Sequence, residues 1–115
     1  MTEPIPLRTQ EEFEAMYFPS PDRPALSSPV LIWFSAKWCG PCKRVNYQEL
    51  QAAFPTLKIF KCDVDENNYT PGFVGVRSIP SFIVLYPGKV LSSPFQSSDT
   101  KAIIEWVRAM LDKKA

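Results

Sequence analysis

The chain has 115 residues, 45% of them apolar, with 13 Lys and Arg against 12 Asp and Glu and a formal net charge of +1. That length holds a single hydrophobic core, so residues 1–115 are expected to form one domain. The near-balanced charge gives no global field for nucleic acid or an anionic membrane, and no apolar run is long enough to span a bilayer. With three cysteines and no histidine, a disulfide scaffold is excluded and one cysteine is left over.

The first element expected is a short extended segment at Ile5-Pro6-Leu7-Arg8, confined to a sheet edge by its prolines. Thr9 followed by Glu12 has the pattern of a capping box, and Phe13, Met16 and Tyr17 recur at helical spacing towards Phe18. Residues 19–29 carry Pro19, Pro21, Pro24 and Pro29 among serines, which predicts a surface loop. Met1 to Gln10 lacks the charged start and apolar centre of a secretory signal, so a cytoplasmic, reducing location is expected.

Val30-Leu31-Ile32-Trp33-Phe34 is a continuous apolar run, as in a strand buried on both faces of a parallel sheet. It leads into Trp38-Cys39-Gly40-Pro41-Cys42-Lys43, which places two thiols three residues apart. If Pro41 opens a helix, Cys39 lies at its N-terminal end, where free backbone N–H groups favour a thiolate below the ordinary value near ~8.5. Cys39 is thus the candidate nucleophile. Cys42, on the same face, can attack a mixed disulfide on Cys39 and release the reduced partner, so it is the candidate resolving thiol. A zinc site is the competing reading, but only carboxylates could complete its ligand set, so no metal is expected; no dissociable cofactor is expected either, since the electrons of a dithiol couple reside in the two thiols. A buried structural cysteine pair is the other alternative, and Trp38 with Gly40-Pro41 better suits an exposed turn entering a helix.

The helix begun at Pro41 is expected to run to Phe54, with Val45, Tyr47, Leu50 and Phe54 on its apolar side and Pro55 ending it. Lys43-Arg44 reads as its solvated face. Leu57 to Val64 predicts a second central strand, and Tyr69 to Val74 a short helix or turn. Phe82 to Tyr86 and Lys89 to Ser92 flank Pro87-Gly88 as an antiparallel hairpin. Ser98 or Asp99 can cap a last helix whose Ala102, Ile103, Trp106, Val107 and Met110 form an apolar stripe.

The apolar strand, the Trp-Cys-Gly-Pro-Cys-Lys element, the strand end at Lys61 to Asp65 and Arg77-Ser-Ile-Pro80 follow one another as in thioredoxins, and nearly the whole chain resembles that family. The resemblance implies an α/β thioredoxin fold, a mixed central sheet with helices on both faces, and a protein-disulfide reductase working through a Cys39-Cys42 couple. It implies that Pro80 is cis and faces the dithiol, that Ile79 offers backbone hydrogen bonds to an extended substrate, and that Trp38, Gly40, Pro41 and Ile79 form an apolar rim. Gly75 and Gly88 match family glycines that serve backbone geometry. Partners implied are disulfide-containing proteins and an external reductase, possibly thioredoxin reductase, with the protein itself a monomer. A binding or adaptor module with secondary redox activity is the competing class, and an oxidant rather than a reductant is a third reading.

Departures from the family pattern accompany the match. Trp33 stands where the family buries an acid thought to accept the resolving thiol's proton, and an indole cannot do so. Lys61 thereby loses a carboxylate partner, and it is expected to stack on Trp33. Tyr47 replaces a proline that kinks the helix after the dithiol, which suggests a straighter helix. Gln96, beside Phe95, occupies the place of a glycine on the substrate-facing surface. Cys62, in the second central strand, reads as a small buried hydrophobe.

Overall fold

The computed structural model describes residues 3–18, 21–22 and 26–113. Part of the proline-rich loop, residues 19–20 and 23–25, lies outside the described residues. Strands β1 (Ile5–Pro6), β2 (Val30–Ser35), β3 (Lys58–Asp63), β4 (Ser81–Tyr86), β5 (Val90–Leu91) and β6 (Phe95–Gln96) form one sheet. Helices α1 (Gln10–Tyr17), α2 (Tyr47–Ala53), α3 (Tyr69–Val74) and α4 (Thr100–Asp112) cover it. The strand order is β1-β3-β2-β4-β5, with β6 also on β4. β1, β3 and β2 run parallel, whereas β4 is antiparallel to β2 and to β5 and β6.

The apolar run of β2 is central for a physical reason: all six of its residues are buried, and both faces meet core. Leu31 and Trp33 join a cluster with Leu50 of α2 and Ile103 and Val107 of α4. Ile32 and Phe34 join Phe13 of α1 and Val74 of α3 in a second cluster on the opposite face. Side chains alternate across a strand, so one six-residue segment anchors both helical layers.

Local signals behave largely as the sequence predicts. Thr9 caps α1 by accepting from the Glu12 N–H at 3.1 Å, while the Glu12 carboxylate reaches past the cap to the Arg8 N–H at 2.6 Å. Asp99 caps α4 through the Lys101 N–H. Gly75 and Gly88 both sit at φ 87°, where a side chain would be strained.

One expectation needs correction, and one strand is additional. The single helix from Pro41 to Phe54 is two elements, a 3₁₀ turn at Pro41–Arg44 and then α2, parted by an extended Val45 (φ −73°, ψ 121°). The break has identifiable partners. Asn46 caps α2 by accepting from the Glu49 N–H, and the Thr100 hydroxyl accepts from the Asn46 N–H at 2.9 Å while donating to the Arg44 carbonyl. The groups freed at the interruption are therefore satisfied, and the absence of a proline at position 47 does not straighten the segment. The additional strand is β6. Phe95 and Gln96 pair with Phe82 and Ser81 and so continue the β5 edge beyond Pro94. Ser92 spans the gap, its N–H donating to the Val84 carbonyl and its hydroxyl accepting from the Val84 N–H.

Candidate active site

β2 ends at Ser35 and delivers residues 36–42 to the carboxyl end of the parallel strands, the end at which open α/β sheets place their chemistry. Cys39 and Cys42 are joined there as a disulfide, with Cα atoms 5.3 Å apart. The Cys42 N–H points at Cys39 Sγ at 3.2 Å. This contact is the local stabilisation expected for negative charge on Cys39. Because the 3₁₀ turn has only four residues and α2 starts at Tyr47, it is this N–H, more than a long helix dipole, that supplies it.

The turn is exposed but the sulfurs are not. Trp38 is 68% exposed, whereas Cys39 and Cys42 are 3% and 4% exposed and pack with Ala36, Val64 and Ile79. Gly40 and Pro41 are exposed above them. A Cβ on Gly40 would meet nothing within 4 Å, so neither packing nor backbone (φ −60°) demands glycine there. Its lack of a side chain leaves the surface over the dithiol flat.

The Ile79-Pro80 bond is cis, and Pro80 is buried, with its carbonyl accepting from the Ser97 N–H at 3.3 Å. Ile79 packs against the cysteine cluster, so the loop before β4 lies beside the dithiol. A groove of about 420 Å³ runs between this loop and Trp38, lined by Val64, Pro71, Val76, Arg77, Ser78 and Ile79. The Trp38 indole is held over it by donating to Asp65 Oδ2 at 2.8 Å. Asp65 is a positioning partner that sequence reasoning passed over. The signal available was its place just beyond β3, at the strand end that faces the Trp38 loop.

Behind the pair, Trp33 is 4% exposed and stacks near-parallel on Phe82, with ring centroids 6.1 Å apart. Lys61, its register neighbour on β3, places Nζ 4.4 Å from the ring centroid, the cation–π contact expected from the sequence. Among the described residues the buried Trp33 Nε1 proton has no hydrogen-bond partner. Cys62 is fully buried, its Sγ 3.7 Å from the Asn67 carbonyl. Burial, and then the charges of Asp63 and Glu66, push its pKa up to about 12, so it stays a neutral thiol. Among the described residues no group of three or more Cys, Asp or Glu side chains is placed to hold a metal ion.

A vicinal dithiol at the carboxyl end of a central parallel strand, beside a cis-proline loop, defines a thiol–disulfide oxidoreductase with the thioredoxin fold. Comparison with known proteins agrees. The Thioredoxin family model matches residues 10–109. Thioredoxin of Bacillus subtilis (strain 168) is 44% identical over 85 residues, which span 71% of this chain and 82% of that protein. Thioredoxin of Geodia cydonium is 36% identical over 81 residues, or 69% of this chain and 76% of that one. Among solved structures, thioredoxin from Trypanosoma brucei brucei superposes with a TM-score of 0.76 at 21% identity, covering 96% of this chain and 93% of that one. Plasmodium falciparum thioredoxin gives 0.74 at 24% identity, covering 91% and 97%.

The chain belongs to the thioredoxin family. It is a thiol–disulfide oxidoreductase that acts as a protein-disulfide reductase, with disulfide-containing proteins as substrates and a reductase as partner.

Proposed function

We propose that Cys39 is the attacking thiol and Cys42 the resolving thiol. The supporting observation is the Cys42 N–H aimed at Cys39 Sγ at 3.2 Å, which favours the anion on Cys39. The Cys39 thiolate attacks one sulfur of a substrate disulfide; the S–S bond breaks, the other substrate sulfur leaves as a thiolate, and it takes a proton from solvent. Cys42 then loses its proton and attacks Cys39 Sγ in the mixed disulfide, expelling the second substrate thiolate. Two electrons pass to the substrate, and the protein is left with the Cys39–Cys42 disulfide of the structure.

In this reading Ile79 and Pro80 align an extended substrate segment, while Trp38, Gly40 and Pro41 form the docking surface. Support comes from the exposed Trp38, the flat turn at Gly40 and the packing of Ile79 on the cysteines. An external reductase, by this proposal thioredoxin reductase, returns the electrons in a transport chain that maintains thiol balance. The proposed location is a reducing, cytoplasmic compartment, in keeping with the unpaired, buried thiol of Cys62 beside a working dithiol.

Turbidimetric reduction of insulin disulfides by the wild type, Cys39→Ser and Cys42→Ser tests the assignment. Loss of turnover in both variants, with the wild type active, is expected. A folded wild type that reduces nothing would favour the adaptor class instead. Equilibration against glutathione buffers then fixes direction: thioredoxins lie near about −270 mV, and a value close to about −120 mV would make the protein an oxidant.

A further inference from the structure

The groove beside the dithiol is apolar along Val64, Pro71, Val76 and Ile79, and it has one charged side chain in its wall, the exposed Arg77. A second exposed cation, Lys43, directly follows Cys42 on the 3₁₀ turn. One positive charge thus lines the groove and the other adjoins Cys42 on a separate segment, although the whole chain is nearly neutral at +1. The acids nearby are placed differently. Asp65 keeps its negative charge but stands on the Trp38 side, where it accepts from the indole, and Asp99 caps α4. Asp63 and Glu66 line a separate cleft of about 600 Å³, where Lys37, Lys61 and Arg8 offset them.

We infer that Arg77, assisted by Lys43, is a specificity-determining residue: the site prefers disulfides in extended protein segments that carry a carboxylate side chain close to the target cysteine. The inference rests on the reductase reading above and names its substrate class. An apolar groove holds an extended segment but cannot distinguish charge, whereas a guanidinium in its wall attracts a carboxylate and repels an ammonium or guanidinium. At a separation of about 6 Å in water, a guanidinium favours a carboxylate about threefold and disfavours an ammonium about threefold, so Arg77 alone sets an acidic-to-basic ratio of about tenfold.

The test uses the reduced protein in single turnover with three disulfide-linked peptides of one length, flanked by Asp and Glu, by Asn and Gln, or by Lys. At about 20 mM salt the acidic peptide is expected to react about tenfold faster than the basic one, shrinking to under about twofold at about 500 mM as screening shortens the Debye length. Arg77→Glu, and separately Lys43→Glu, should reduce or reverse the acidic-to-basic ratio. The ratio is the readout because any change in Cys39 reactivity caused by these substitutions affects all peptides alike and cancels. Equal rates for acidic and basic peptides at low salt, or a ratio that neither variant moves, would overturn the inference while leaving the reductase reading intact. Failure to reduce even the neutral peptide would instead remove the reductase reading, and the inference with it.

Discussion

Replacing Trp33 by Asp places a carboxylate where the structure has an indole stacked on Phe82 and capped by Lys61 Nζ at 4.4 Å. In the wild type residue 33 is not an acid, so the account has Cys42 lose its proton without a carboxylate base there. Without a base the thiolate fraction of a thiol grows about tenfold per pH unit below its pKa, so resolution should rise by about that factor per unit between about pH 6 and 8. A carboxylate at position 33 that accepts this proton should lift the low-pH rate by about 10²-fold, the lower end of general-base effects, with the advantage fading towards pH ~8.5. The substitution has a structural cost. Truncating a fully buried aromatic costs about 3–5 kcal/mol, partly offset here by the Lys61 ammonium beside the new anion. The assay is stopped-flow resolution of a preformed mixed disulfide on Cys39 across pH, on variants shown to be folded by circular dichroism. Trp33→Phe is the control: it keeps a ring against Phe82 and Lys61 and removes the unpartnered Nε1 proton. That variant should retain the steep wild-type pH slope and lie within about 1 kcal/mol in stability, because relief of a buried donor, about 1–3 kcal/mol, opposes the lost packing. A wild-type rate that is flat below pH ~7, or a folded Trp33→Asp variant with an unchanged profile, would refute the reasoning.

Three further outcomes follow from other parts of the structure. Gly40→Leu should fold with stability within about 1 kcal/mol of the wild type, since its Cβ meets nothing within 4 Å, yet lose kcat/KM on protein disulfides while reacting normally with a small aromatic disulfide. Asn46→Ala removes the cap of α2, and urea denaturation should show a loss of about 0.5–2 kcal/mol. Cys62 keeps its proton in the fold up to about 12, against an ordinary thiol value of 9.0. The unfolded chain therefore loses that proton first, and this contribution to stability is complete below pH ~9 and declines as pH rises above it, by about 1.4 kcal/mol per unit. Denaturation of the wild type and Cys62→Ala at about pH 8 and about pH 10 should show the gap between them narrowing by roughly that amount.

Elements set by local chemistry were readable before the fold was seen. The β2 run is apolar without alternation because it is buried on both faces, the Thr9 and Asp99 caps announce α1 and α4, and strand pairing sets Lys61 beside the Trp33 ring in register. What escaped depends on partners distant in sequence. Nothing near Asn46 reveals that the Thr100 hydroxyl, 54 residues away, satisfies its N–H and makes a break cheaper than a continuous helix. β6 has little pattern of its own; Phe95 is fixed by stacking on Trp106 at 5.0 Å and by pairing with Phe82. The same holds within the site. The Cys39 and Cys42 spacing is explicit in the sequence, whereas the Trp38–Asp65 bond spans 27 residues and the burial of both sulfurs depends on Val64 and Ile79 closing over them.

The division of labour between the two thiols is tested most directly by trapping. Reduced Cys42→Ser protein, mixed with a disulfide-bonded protein substrate and quenched with acid, should yield a stable mixed disulfide, and peptide mapping by mass spectrometry should locate it on Cys39. Cys39→Ser under the same conditions should trap little or nothing. Capture on Cys42 by the Cys39→Ser variant, at a rate equal to that of Cys39 in its counterpart, would contradict the assignment of attack to Cys39.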